Sequence, residues 1–299
     1  MTRVRLALEW FLNPDHVPFL IGLERGWFRD AGIDLELVEP KEHVDAADAL
    51  ARGELEVAIT EPIHLVQDLA AGRSVVGFAR FLHTNGGVMY LKGRGIERPR
   101  DMAKARVQYP GAPGPGGKAI VATMVQADGG AFAPEALTPV NHGFFHTNAL
   151  AEGKADVATL AFWNFELVEA AHRGLDAGFF ALKDWGVPDF CQLILMTRPE
   201  LLERERPTFV KLVQVLRRGI DFLKTNPAEA EALYARRTKA SPDDTLGPKL
   251  FAATLPCFTY DLTMAPEAYA LLADWLVRTK QVTAPVDVSR AWTNQLALK

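Results

Sequence analysis

Apolar and polar positions follow two alternating periods through the first two thirds of the chain. Val4–Leu8 and Ile33–Val38 (IDLELV) alternate residue by residue, the period of a half-buried strand. Between them, Pro18–Asp30 (PFLIGLERGWFRD) repeats its apolar residues at helical spacing, with Pro in the first turn and Gly32 just beyond. The pattern then predicts a helix at Asp45–Ala51, a buried strand at Val57–Ile59, a helix at Pro62–Ala71, and strands at Ser74–Phe81 and Gly87–Leu91. After Pro99 the rhythm resumes. A strand is expected at Arg106–Tyr109, a loop at Pro110–Gly117 (PGAPGPGG) and a helix at Lys118–Asp128. Strands at Leu137–Asn141 and Val157–Ala161 alternate with helices at Asn148–Glu152 and Phe165–Arg173. Cys191–Thr197 (CQLILMT) is a further strand, and beyond Pro199 the pattern turns helical, with Pro207–Lys224, Pro227–Arg236 and Ala265–Thr279 as the clearest segments. Strands alternating with crossover helices specify an α/β fold.

One segment recurs. Leu50–Thr60 (LARGELEVAIT) is echoed by Leu150–Leu160 (LAEGKADVATL), with Leu, Ala, Gly, Val and Ala in register. The echo fits any helix–Gly–strand unit of an α/β protein, and it equally fits two similar lobes. Ligands of open α/β sheets sit beyond the carboxyl ends of strands. Under the two-lobe reading, Thr60–His64 and Phe162–Glu166 are therefore the places to search. The 299 residues suffice for two such lobes. A net charge of −4 argues against a nucleic-acid partner. No run approaches a membrane span, and Met1–Leu12 lacks the long apolar stretch of a secretion leader. The expected compartment is the periplasm if a leader precedes this chain, and the cytoplasm if Met1 is the native start. Two cysteines, Cys191 and Cys257, are too few for a disulfide scaffold, and a bridge between them stays open.

The chemistry-bearing residues gather in two loops. Glu9-Trp10-Phe11-Leu12-Asn13-Pro14-Asp15-His16 follows the first strand and joins large aromatics to amide, carboxylate and imidazole groups. Phe162-Trp163-Asn164-Phe165-Glu166 repeats that mixture after the counterpart strand. A planar polar heterocycle is bound by such sets, with an aromatic face for stacking and polar groups for its ring nitrogens. The alternative is structural: Trp10 and Phe11 as core, with the polar residues capping the next helix. The glycines of PGPGGK precede a helix and could offer backbone N–H groups to an anion. No zinc spacing, nucleophile elbow or P-loop occurs, and the His142/His146 pair stands in surroundings poorly suited to a metal site. No metal and no cofactor are expected.

The stretches 9–40, 50–65, 87–96 and 162–174, with Gly186–Phe190, resemble the hydroxymethylpyrimidine and thiamin-precursor binding proteins of ABC importers, within the NMT1/THI5-like superfamily. The resemblance implies a type II periplasmic-binding-protein fold: two α/β lobes, a ligand cleft and a hinge. It implies lobe 1 as 1–92 plus 190–299 and lobe 2 as 93–189. It implies a monomeric receptor that hands a small pyrimidine to a permease. Trp10 would stack on the ring, with Asn13, His16, Glu61, His64 and Glu166 as polar contacts. Trp163 and Asn164 would close from the second lobe, and Gly114, Gly116 and Gly117 would hold a phosphate if the ligand carries one. Where related receptors carry arginine before NFE, this chain has Trp163. The same resemblance reaches the yeast-type pyrimidine synthases, which use pyridoxal phosphate and one of their own histidines, here matching His64. Their imine-forming lysine is replaced by Thr60, and of their CCCFC segment only Cys191 is retained. Both departures disfavour the synthase.

Overall fold

The computed structural model describes residues 1–40, 45–110 and 114–297. These residues form strands β1 (Thr2–Ala7), β2 (Ile33–Val38), β3 (Val57–Thr60), β4 (Val76–His83), β5 (Gly86–Leu91), β6 (Arg106–Gln108), β7 (Thr138–Val140), β8 (Val157–Phe162), β9 (Ala177–Ala181) and β10 (Gln192–Thr197). The helices are α1 (Val17–Glu24), α2 (Trp27–Asp30), α3 (Ala46–Ala51), α4 (Pro62–Ala70), α5 (Pro115–Ala127), α6 (His146–Ala151), α7 (Glu166–His172), α8 (Pro199–Arg204), α9 (Arg206–Thr225), α10 (Pro227–Thr238), α11 (Gly247–Thr254) and α12 (Pro266–Arg278). No helix of the described residues is long and apolar enough to cross a membrane.

The chain divides into two compact units. The first comprises Met1–His83, Phe190–Ala273 and Ala284–Lys299, and the second Thr84–Asp189 and Asp274–Thr283. The chain passes from the first sheet to the second between β4 and β5, earlier than the position after Lys92 expected from the resemblance.

In the first unit the sheet order is β2-β1-β3-β10-β4. β1 lies parallel to β2 and β3, and β10 runs antiparallel between β3 and β4. The central strands VAIT and QLILMT are buried throughout, whereas edge strand IDLELV alternates, which is why it reads as a one-sided strand. α1 packs closely on α9 at Gly219, where a Cβ would lie 2.4 Å from the carbonyl oxygen of Pro18. The expected single helix Pro18–Asp30 is two helices. Gly26, at φ +70°, takes a left-handed turn that ends α1 and starts α2.

In the second unit the order is β7-β6-β8-β5-β9. β6 is parallel to β7 and β8, and β5 runs antiparallel between β8 and β9. β8 carries one extra residue: Val88 and Gly87 of β5 face Thr159 and Ala161, and the intervening Leu160 stands at φ +57°. Trp275 anchors a buried contact within this unit by donating its indole N–H to the Thr123 hydroxyl at 3.0 Å.

Four further segments bear on the sequence pattern. β9 has no counterpart in the sequence pattern, because AGFFA is short and mostly small residues; α8 and α11 fall in the region expected to be helical, outside its clearest segments. α5 begins at Pro115, so Gly116 and Gly117 lie in its first turn and not in a loop; residues 111–113 of the expected loop lie outside the described residues.

The internal echo has a physical counterpart. In the first unit the Arg5 guanidinium binds the Glu56 carboxylate at 2.6 and 3.0 Å and the Gly53 carbonyl at 2.6 Å, while the Arg5 backbone N–H donates to Glu56 at 2.8 Å. In the second, Arg106 binds Asp156 at 2.6 and 3.2 Å and the Gly153 carbonyl at 2.6 Å, with its N–H on Asp156 at 2.7 Å. Each arginine fastens the helix–Gly–strand turn to the neighbouring parallel strand.

Candidate functional site

In the first unit, the chain leaves β1 through Glu9, Trp10 and Phe11 and turns into the short helical turn Pro14–His16. Asn13 caps this turn: its Oδ1 accepts the Asp15 N–H at 2.8 Å, and its Nδ2 donates to the Phe11 carbonyl at 3.1 Å. Asn13 is buried and its amide is committed to shaping the loop. His16 is fully buried. Its Nδ1 accepts the Asn13 N–H at 3.1 Å, so Nε2 is the nitrogen that faces the Glu9 carboxylate, at 3.0 and 3.1 Å. Burial opposes a charge on the ring, but the Glu9 carboxylate outweighs it and raises the His16 pKa.

Two further carboxyls respond to Glu9. Asp15 is buried, its Oδ1 has no hydrogen-bond partner among the described residues, and burial reinforced by Glu9 pushes it up to about 7, with His16 pulling the other way. Glu61, the residue between β3 and α4, is pushed up to about 8 by burial and then by Glu9. The loop after β1 and the end of β3 thus assemble Glu9, Asp15, His16 and Glu61 into one acidic group. Trp10 stands beside it, tilted against the half-exposed Phe11 at 4.1 Å between ring centroids. His64 lies exposed in the first turn of α4. At neutral pH a carboxyl with Glu61's pKa keeps its proton, and so presents a donor beside an acceptor.

In the second unit, the Asn164 carbonyl oxygen accepts from the Thr84 hydroxyl at 2.6 Å, both groups being buried. The Trp163 N–H donates to the Asn85 carbonyl at 3.1 Å. Glu166, buried at the start of α7, accepts the Phe162 N–H at 2.7 Å, which pins the loop it belongs to. Gly114 precedes α5 without a capping side chain. Gly116 and Gly117 are needed for Tyr109: a Cβ on Gly116 would lie 2.5 Å from its hydroxyl, and one on Gly117 2.7 Å from its Cβ. The phenol lies across the first turn of α5, and the Thr159 hydroxyl, fully buried, donates to the Gln108 carbonyl at 3.1 Å nearby. Among the described residues no group of three His, Cys, Asp or Glu side chains is placed to hold a metal ion.

Sequence reasoning missed Glu9 as the partner of His16, Asp15 as a buried acid, and Tyr109 as the reason for two glycines. The first was visible only as a carboxylate and an imidazole seven residues apart. The last two had no signal beyond their loop positions.

A family model described as NMT1/THI5 like matches residues 13–230. A formylaminopyrimidine-binding protein of Halalkalibacterium halodurans is 27% identical over 228 residues, spanning 76% of this chain and 68% of that protein. A 4-amino-5-hydroxymethyl-2-methylpyrimidine phosphate synthase of Legionella pneumophila is 27% identical over 299 residues, spanning 98% and 92%. The periplasmic aliphatic sulphonate binding protein of Escherichia coli superposes with a TM-score of 0.76 at 12% identity, over 99% of this chain and 93% of that one. The fold expected from the resemblance is therefore the fold observed, two mixed α/β sheets of the periplasmic-binding-protein kind. With the family match spanning most of its length, the chain belongs to the NMT1/THI5-like family.

Proposed function

We propose that this protein is a solute receptor for a thiamin-precursor aminopyrimidine, of the kind that serves an ABC importer. The observation that carries the reading is the acidic group of the first unit beside Trp10. A 4-aminopyrimidine presents a ring nitrogen that accepts and an amine that donates, side by side. A protonated Glu61 carboxyl offers the matching donor and acceptor, and Glu9 is a second acceptor. The Trp10 indole supplies a stacking face. The similarity to a formylaminopyrimidine-binding protein supports the same ligand class. Delivery to a permease, and export to the periplasm, follow from this role.

A synthase is the second reading, favoured by the similarity to the Legionella protein. The residues here do not fit pyridoxal phosphate: Thr60, buried at the end of β3, has no amine to form an imine. No step is derived through that cofactor.

Calorimetric titration of ligand-stripped protein with 4-amino-5-hydroxymethyl-2-methylpyrimidine tests the receptor reading. One site of micromolar or tighter affinity is expected, with about 2.7 kcal/mol of added stability at a hundredfold excess over Kd. Absence of both heat and thermal stabilisation refutes it. An absorbance band from captured pyridoxal phosphate would favour the synthase instead.

A further inference from the structure

We propose that His16 is a positioning residue of this receptor: it fixes the Glu9 carboxylate as the acceptor for the exocyclic group of the bound ring, so that the site takes a 4-amino and rejects a 4-oxo pyrimidine. The proposal rests on the receptor reading, lies wholly within the first unit and names the group that Glu9 selects.

Three observations lead to it. First, His16 is fully buried, whereas the Glu9 side chain keeps 19% of its surface open. The imidazole therefore meets no ligand itself and acts through the carboxylate. Second, His16 is the only hydrogen-bond partner of the Glu9 side chain among the described residues, its Nε2 lying 3.1 and 3.0 Å from the two oxygens. With Nδ1 already accepting, the ring donates from Nε2, and both oxygens turn toward that one N–H. Third, the turn asks less of this position than an imidazole gives. Pro14–His16 is a capping box, in which the third residue has only to accept the N–H of Asn13, a task usually met by Glu or Gln. His16 accepts it at 3.1 Å and still has a nitrogen left for Glu9.

An ionised carboxylate only accepts. The protonated Glu61 carboxyl pairs with a ring nitrogen and one amine hydrogen, and Glu9 takes the other. A 4-oxo ring turns an oxygen toward Glu9 instead, lone pair against carboxylate. Around His16 stand Glu9 and Asp15, with the Tyr234 phenol of α10 facing Asp15 and only the exposed Glu24 and Lys249 on α1 and α11. Around Glu61 stand Glu9 and the exposed His64. β10 carries no charged side chain, and Arg5, Asp48 and Asp68 on β1, α3 and α4 are tied in ion pairs.

The test titrates 4-amino-5-hydroxymethyl-2-methylpyrimidine and its 4-oxo counterpart, 5-hydroxymethyl-2-methylpyrimidin-4-one, into the protein across the pH range in which Glu61 titrates. Wild-type protein should prefer the amine by roughly tenfold or more, since a site built around a hydrogen bond rejects the analogue that lacks it. Its affinity for the amine should fall as pH rises through about 8, where Glu61 loses its proton. His16→Leu lets Glu9 turn away toward water. It should remove most of the preference and move the fall to lower pH, because Glu61 loses the neighbouring charge that helps to raise it. His16→Gln, with an amide N–H in place of Nε2–H, should restore part of both. A purely structural role lowers affinity for the two compounds alike and leaves the pH of the fall in place; that result in folded His16→Leu overturns the proposal. Nitrogen NMR of wild-type protein covers a leucine variant that does not fold. The His16 Nε2 signal should shift when the amine binds, and an unmoved signal at saturation overturns the proposal too. Equal affinity of wild-type protein for both compounds defeats the proposal and spares the receptor reading, whereas binding of neither defeats the receptor reading itself.

Discussion

The two units share a framework and differ in what they mount on it. Both sheets have the same pattern of directions, with two parallel neighbours on one side of the middle strand and, on the other, one reversed strand followed by an edge strand antiparallel to it, but the reversed strand is the last of its unit in the first sheet and the first of its unit in the second. Both hold their repeated turn with an arginine, a carboxylate and a glycine carbonyl. At the opposite ends of the strands the likeness stops. The first unit gathers three carboxyls around a buried histidine. The second relies more on amide, hydroxyl and backbone groups, with Gln108, Asn164, Thr84 and Thr159, and its buried carboxylate Glu166 accepts from a backbone N–H. Thr60 continues its strand regularly, while its counterpart Leu160 is a left-handed bulge residue that re-aims the chain ahead of Phe162. A repeated scaffold therefore leaves the site ends free to acquire different chemistries.

The largest expected effect breaks the ionic side. Glu9→Ala leaves the buried His16 Nε2 without its carboxylate partner and should cost about 2–3 kcal/mol, the upper range for losing a hydrogen bond to a charged group. Asn164→Ala, which frees one neutral hydroxyl in the second unit, should cost about 1–2 kcal/mol. Urea unfolding of both variants checks the order, and equal losses would erase the contrast. Next is Trp10→Ala, expected to weaken pyrimidine binding by roughly 1–3 kcal/mol, as for other lost ring-stacking contacts; unchanged affinity in folded protein returns Trp10 to a packing role.

The two units should also answer pH in opposite senses. Folding raises Asp15 from 3.8 to about 7, so the folded state holds the extra proton and stability falls as pH rises through that window. Folding lowers His146 from 6.5 to about 4, so stability rises with pH between those values and is lost on acidification. Between pH 4 and 7 the melting temperature of Asp15→Asn should therefore lose a downward contribution as pH rises, and that of His146→Leu an upward one, relative to wild-type protein. The smallest effect is the one the units share. Arg5→Ala and Arg106→Ala should each lower the melting temperature slightly, the former more, because the Arg5–Glu56 pair is better shielded than Arg106–Asp156. A reversed order would mean the two clasps are not equivalent.

Legibility in the sequence followed the range of the interaction. Strands such as IDLELV and QLILMT announced themselves, because burial on one or two faces imposes a pattern residue by residue. The repeat at 50–60 and 150–160 was legible because helix, glycine and strand are consecutive. Capping by the polar residues of the first loop was one of two readings its pattern allowed, and Asn13 caps the short turn directly after it. The glycines at 116 and 117 misled: they read as a loop, whereas Tyr109 needs them inside a helix. The raised carboxyls Asp15 and Glu61 could not be read, since their pKa values depend first on burial and then on Glu9, both of which only the fold sets.

The placement of β10 bears on how the chain is made. β4 is joined to its sheet through β10, and its remaining strand-like partners, Phe258 and Trp292, also come later in the chain. A ribosome that has released residues 76–83 has released no partner for them. The strands of the second sheet, by contrast, all lie between Gly86 and Ala181 and can pair before β10 has been synthesised. The fourth strand made therefore waits unpaired for the tenth, and the part of the protein that begins first is completed last.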